Sequence, residues 1–181
     1  MAVTGDIYGS SATSDSTVGQ KAWSNISNFD GNTTSTEMDF SGALAQVNSY
    51  YVKSAFLHGL IASDTITNIA VAIERRCDNT DDYAHDNYVQ LIVDGTIQTT
   101  NKGFTSTNWP ITKGWSATYT GNAASWGYGG TLTGTNTLGI AFAAYCGGKH
   151  SSMWASRIVM VIAYTTASGL KKSQMFFRRL C

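Results

Sequence analysis

The sequence predicts an all-β protein: an antiparallel β-sandwich, jelly-roll-like, with extended N- and C-terminal arms. Short apolar runs alternate their side chains with a period of two, and clusters of Gly, Asn, Asp and Ser punctuate them. No segment sustains a 3.6-residue apolar stripe, so the crossover helices that a parallel sheet needs are missing from the pattern. With 181 residues the chain suits one domain with its own core and is short for two.

Taken in order, residues 1–20, "MAVTGDIYGSSATSDSTVGQ", are Gly, Ser, Thr and Asp with scattered apolar side chains, and they read as an arm or a ragged first strand. They hold no basic patch followed by an apolar core, so no secretory leader is expected. The domain proper is expected over 21–166. Within it "FSGALAQVNSYYVKSAFLHGLI" mixes Gly and β-branched residues and is ambiguous between helix and strand. The clearest strands follow. In "TITNIAVAIERR" Ile69, Val71 and Ile73 alternate with Ala70, Ala72 and Glu74. In "DNYVQLIVDGT" Val89, Leu91 and Val93 alternate with Tyr88, Gln90 and Ile92, and the pair Asp94-Gly95 closes a hairpin. "TLGIAFAAYC" offers Leu138, Ile140 and Phe142 to one face; "RIVMVIAYTT" offers Ile158, Met160, Ile162 and Tyr164. About six inward side chains per sheet, each worth roughly 1.5–3 kcal/mol on burial, suffice to hold such a core without metal or disulfide.

The charge is zero in sum but split along the chain. Residues 1–94 carry all twelve acids and four bases, leaving −8, and residues 95–181 carry eight bases and no acid, leaving +8. Interleaved strands would mix the two halves in space. No run approaches the about 20 apolar residues that span a bilayer, so no membrane partner is expected. Cys77, Cys146 and Cys181 are odd in number and stand at no metal-ligand spacing, which reads as free thiols of a reducing cytoplasm.

Chemistry-bearing patterns are few. His58, His85 and His150 sit in no metal or catalytic motif, and the chain lacks a P-loop, a GxGxxG and a GxSxG elbow. "CDNTDDYAHD" brings Asp78, Asp81, Asp82 and Asp86 close together but without the EF-hand spacing, and it reads as a solvated loop. Glu74 and that loop are the only source of paired carboxylates, and nothing marks them as held in a cleft. Neither a catalytic residue, a cofactor nor a metal is expected. In "NWPITKGWSATYTGNAASWGYGG", Trp109, Trp115, Trp126 and Tyr128 suit either core packing or a sugar-stacking platform.

The order "KAWSNISNFDG", "YYVKSAFLHGLIASDTITNIAVAIERR", "DNYVQLIVDGTIQTTNKG", "WGYGG", "LGIAFAAY" and "RIVMVIAYTT" resembles a β-sandwich family of bacteriophage and prophage structural proteins, over roughly residues 21–166. The chain departs from it after "WGYGG", where "TLTGTN" replaces a longer Asp-Leu-Trp-Gly insertion. The resemblance implies a non-enzymatic virion component: a capsid decoration, neck, collar or tail-fibre-like protein, made in the host cytoplasm, homo-oligomeric, and bound to copies of itself and to other virion proteins.

The segment 167–181 is not part of that pattern. Its Lys171, Lys172, Phe176, Phe177, Arg178, Arg179 and Cys181 read as a docking arm, with the rings filling a neighbour's groove and the bases meeting acidic surface. Cys181 is a candidate for an intersubunit disulfide. Nucleic acid is the minority reading of these four bases. The alternative function is a carbohydrate-binding module that recognises host surface glycans through Trp109, Trp115, Trp126 and Tyr128.

Overall fold

Alternation of large aliphatic residues with small or polar ones dictates four long strands, because a strand covered by a second sheet buries every other side chain. In a computed structural model of the chain, described over residues 1–29, 38–42, 47–56, 59–60, 63–78, 84–103, 108–116, 118–132, 137–147 and 151–166, these four form the frame. The strands are β1 (Ala2–Val3), β2 (Ile7–Asp15), β3 (Met38–Gly42), β4 (Val47–Asn48), β5 (Tyr51–Phe56), β6 (Thr65–Cys77), β7 (His85–Val93), β8 (Thr96–Ile97), β9 (Gly114–Trp115), β10 (Tyr119–Gly121), β11 (Leu138–Cys146) and β12 (Ser151–Thr165). All pairings between these strands are antiparallel.

One sheet has β9 and β10 on β6, β6 on β12, and β1, the start of β2, and β3 along the far side of β12. The other runs from the end of β2 through β5, β11 and β7 to β8, with β4 beside the end of β11. The two sheets face each other as a sandwich. Ile69, Val71 and Ile73 of β6 and Ile158, Met160 and Ile162 of β12 meet Val89 and Leu91 of β7 and Leu138, Ile140 and Phe142 of β11 in one core. The predicted inward faces are therefore the observed ones. Tyr164 alone departs, being only partly buried beyond a register shift after Ala163.

Residues 1–20, expected as an arm or a ragged first strand, take the second form in β1 and β2 and are part of the sandwich. Ile7 and Tyr8 pair with Met160 and Val159 of one sheet, and from Gly9 onward β2 pairs with β5 of the other. The crossing is made at a register shift between Gly9 and Ser11. Glycine is required there, since a Cβ on Gly9 would overlap the Ser54 side chain. The ambiguous segment also resolves as strand, β4 and β5, whose Tyr51, Val52, Ser54 and Phe56 are buried.

A charged staple ties the sheets together. Asp86 of β7, wholly buried, pairs with Arg75 of β6 at 2.9 Å, accepts a hydrogen bond from Trp109 Nε1 at 3.0 Å and accepts another from the Tyr119 hydroxyl of β10. Burial pushes the Asp86 carboxyl pKa up, and Arg75 with the two ring donors works against this by favouring the charged form. The expectation of a solvated acidic loop is thus corrected for Asp86, and Asp78 accepts a hydrogen bond from the Ser152 amide at 2.8 Å. Asp81, Asp82, His58 and His150 lie outside the described residues. Among the described residues no three His, Cys, Asp or Glu side chains are grouped to hold a metal ion.

The split of charge along the chain does not become a split in space. Arg157, from the basic half, holds Glu74 of the acidic half through Nε–Oε2 at 3.0 Å and Nη2–Oε1 at 3.1 Å. Antiparallel pairing of β6 with β12 brings the two halves side by side.

Candidate functional site

The outward rows of the β2–β5–β11–β7 sheet build the best-formed concavity. Register places Ser11, Ala55, Gly139 and Ile92 in one row across four strands, and Thr13, Lys53, Ala141 and Gln90 in the next. Small residues on the central strand β11, flanked by larger ones, form a trough along that strand. At one end the trough is roofed: the Tyr51 hydroxyl donates to Gln90 Oε1, Gln90 Nε2 donates to the Gln98 carbonyl at 2.8 Å, and the Tyr51 ring lies edge-on to Tyr88 at 5.6 Å. Ala141 and Ala143 are sealed beneath. Burial pushes the Tyr51 phenol up to about 12, which keeps it protonated as the donor in this bridge.

At the other end the trough is open, as a pocket of about 230 Å³. Gly139 and Ala55 lie at its base, Ile92 supplies apolar wall, Leu138 lines it with backbone while its side chain is in the core, and Ser11, Thr13, Thr137 and Lys53 bring polar groups. A Cβ on Gly139 would stand 2.6 Å from the Ser54 carbonyl oxygen and 3.3 Å from Ile92 Cβ, so β11 can pass this close to β5 only without a side chain. The rim is held by the hairpin turn that Asp94-Gly95 predicts, with left-handed φ of 49° and 78°. Asp94 N donates to the Thr137 carbonyl at 2.9 Å, and Thr137 N donates to Asp94 Oδ1 at 2.8 Å. Beside the pocket Lys53 Nζ pairs with Asp15 Oδ2 at 2.8 Å, and the Thr17 amide donates to Asp15 Oδ1 at 2.9 Å. The Lys53 hydrogen bond, with the Thr17 donors, holds the Asp15 carboxyl well below the usual carboxylate range, at about 2.

The aromatic residues considered as a sugar platform do not come together on one surface. Trp109 and Trp126 are buried in the core, at 1% and 0% exposure, and have no ring face left for a ligand. Their apolar area is what fills the space between the sheets near Phe142 and Ala123. Tyr128 is partly buried and its hydroxyl donates to the Thr131 carbonyl at 2.7 Å. Only Trp115 is strongly exposed, at 42%, and it sits on the outer face of the other sheet. There the Arg157 guanidinium lies 4.8 Å from the Trp115 ring and 5.7 Å from the Tyr8 ring. Glu74, the carboxylate weighed for glycoside chemistry, is consumed by this arrangement: besides Arg157 it accepts a hydrogen bond from Ser156 Oγ at 2.6 Å, and it is only 6% exposed.

Of the docking arm, Lys171, Lys172, Phe176, Phe177, Arg178, Arg179 and Cys181 lie outside the described residues. Cys77 and Cys146 are buried thiols. His85 stacks on Tyr145 at 4.6 Å.

No family model matches the chain, and no curated protein does. Among solved structures it is similar to the native family 35 carbohydrate-binding module from Clostridium thermocellum, at 14% identity, over 88% of this chain and 98% of that one, with a TM-score of 0.41. It is also similar to the CBM35 from Paenibacillus barcinonensis, at 16% identity, over 91% of this chain and all of that one, with a TM-score of 0.39. At these identities the likeness is one of β-sandwich architecture. The expectation of a virion component assembling through terminal arms is corrected at the N-terminal arm, which β2 ties into both sheets.

Proposed function

We propose that this β-sandwich is a non-catalytic carbohydrate-binding module whose ligand site is the pocket over Gly139. The observation that carries the reading is the lining of that pocket. Ile92 offers apolar surface to the C–H face of a sugar ring, while hydroxyls of Ser11, Thr13 and Thr137 and the Lys53 ammonium surround it with hydrogen-bonding groups. A volume of about 230 Å³ is suited to one sugar residue of a longer chain.

The test is a glycan array followed by NMR titration of the isotope-labelled protein. A bound oligosaccharide is expected to shift the backbone signals of Lys53, Thr137 and Gly139. The variant Ala55→Arg, at an exposed position of the pocket base, should abolish those shifts while leaving the melting temperature unchanged. A folded protein that is silent on the array, or glycan binding unaffected by Ala55→Arg, overturns the assignment.

A further inference from the structure

We propose that the Asp15–Lys53 pair is a clamp for two adjacent hydroxyls of an uncharged sugar, which makes the pocket selective for neutral glycans presenting a vicinal diol. This deepens the reading of the pocket as a carbohydrate site and rests on it. Lys53 lines the pocket and Asp15 follows two residues after Thr13 on the same face of β2, so the pair stands at the pocket's edge. Neither group is sealed: the side chains of Lys53 and Asp15 keep 30% and 18% of their exposure.

The hydrogen-bonding capacity of the pair exceeds what the fold uses. An ammonium has three donors, of which Asp15 Oδ2 takes one; a carboxylate has about four acceptor sites, of which Lys53, the Thr17 amide and the Thr17 hydroxyl take three. A donor and an acceptor therefore sit side by side at 2.8 Å. Two neighbouring hydroxyls of a sugar ring match this arrangement, one accepting from Nζ and the other donating to Oδ2. Charged partners make such bonds roughly twice as strong as neutral ones.

The same geometry selects against charge. Lys53 is already neutralised, so a carboxylated sugar meets the Asp15 carboxylate and must displace it to reach the ammonium. Among the described pocket-lining residues Lys53 is the one charged side chain, so none of them offers a second cation to offset that repulsion.

The experiment compares binding of methyl mannoside, methyl galactoside, their deoxy analogues lacking one hydroxyl of the diol, and galacturonate, read from the shifts of Lys53 and Gly139. Asp15→Asn and Lys53→Met are measured alongside the native protein, with the dispersion of their NMR spectra as the control for folding. The proposal expects a neutral glycoside to bind, its deoxy analogue and Asp15→Asn each to weaken binding about tenfold or more, and galacturonate to bind more weakly than methyl galactoside. A deoxy analogue or Asp15→Asn binding within about twofold of the parent overturns the clamp while leaving the pocket as a glycan site. Tighter binding of galacturonate overturns the selectivity. If no sugar moves the pocket signals of the folded native protein, both the clamp and the carbohydrate reading fall.

Discussion

Asp86→Asn tests whether the buried staple between the sheets holds the fold as its geometry implies. The substitution keeps the shape of the side chain and removes its charge, leaving the Arg75 guanidinium, 3% exposed, without its counter-ion. Breaking a buried pair from one side costs about 3–5 kcal/mol, since the remaining charge stays desolvated. The hydrogen bonds from Trp109 and Tyr119 also lose their charged acceptor, at the weaker end of that range if the amide oxygen still receives one of them. Against a total stability of about 5–15 kcal/mol this is a large share. For a domain of this size it lowers the melting temperature by about 6–20 °C, taking about 2–4 °C per kcal/mol. Urea denaturation followed by tryptophan fluorescence measures it. The double variant Arg75→Gln/Asp86→Asn, which removes both charges, should recover most of the loss. A single-variant cost below about 1 kcal/mol, or a double variant less stable than Asp86→Asn, refutes the view that an uncompensated buried charge governs this site.

Stability should also fall in acid through Asp15: its folded pKa is lowered to about 2, so its contribution is present above about pH 4 and lost as the pH drops towards 2. The pair is partly exposed, so the loss is about 0.5–1 kcal/mol, to be read as the difference between native protein and Asp15→Asn in urea melts across that window. Trp115→Ala should cost about 0.5–1 kcal/mol, the strength of an exposed cation–π contact with Arg157, and leave glycan binding at the opposite sheet unchanged by calorimetry. Gly139→Val should both close the pocket and force β11 away from β5, destabilising the protein by about 1–3 kcal/mol in the same melts.

Strands β6, β7, β11 and β12 were legible in the sequence because each buries one face completely, and burial writes a period of two into residue choice. The Asp94-Gly95 turn was legible for a different reason: only residues that tolerate positive φ fit it. Strand β2 was legible only as one of two readings, an arm or a ragged first strand. Its Gly-Ser-Ser-Ala-Thr-Ser composition carries no alternation, and the strand exists because two neighbours supply its hydrogen bonds. The pocket over Gly139 was hidden for a related reason. Ser11, Lys53, Ile92 and Gly139 are ordinary residues on four separate strands, and only register makes them neighbours. Trp109, Trp115, Trp126 and Tyr128, close in sequence, suited either core packing or a sugar platform, and the chain turns two of the rings, Trp109 and Trp126, into the core.

The pairing of β1 and β2 with β12 has a consequence for how the protein is made. Ala2 stands opposite Tyr164, and the Thr4 amide donates to the Ile162 carbonyl, so the first strands of the domain find these partners only after nearly the whole domain has been synthesised. Until then β2 has only the β5 half of its ladder, and the flank of the unfinished sheet stays open to unwanted strand partners. The sandwich is thus closed by β12, and truncation within that strand would leave a nascent chain prone to aggregation rather than a smaller stable domain.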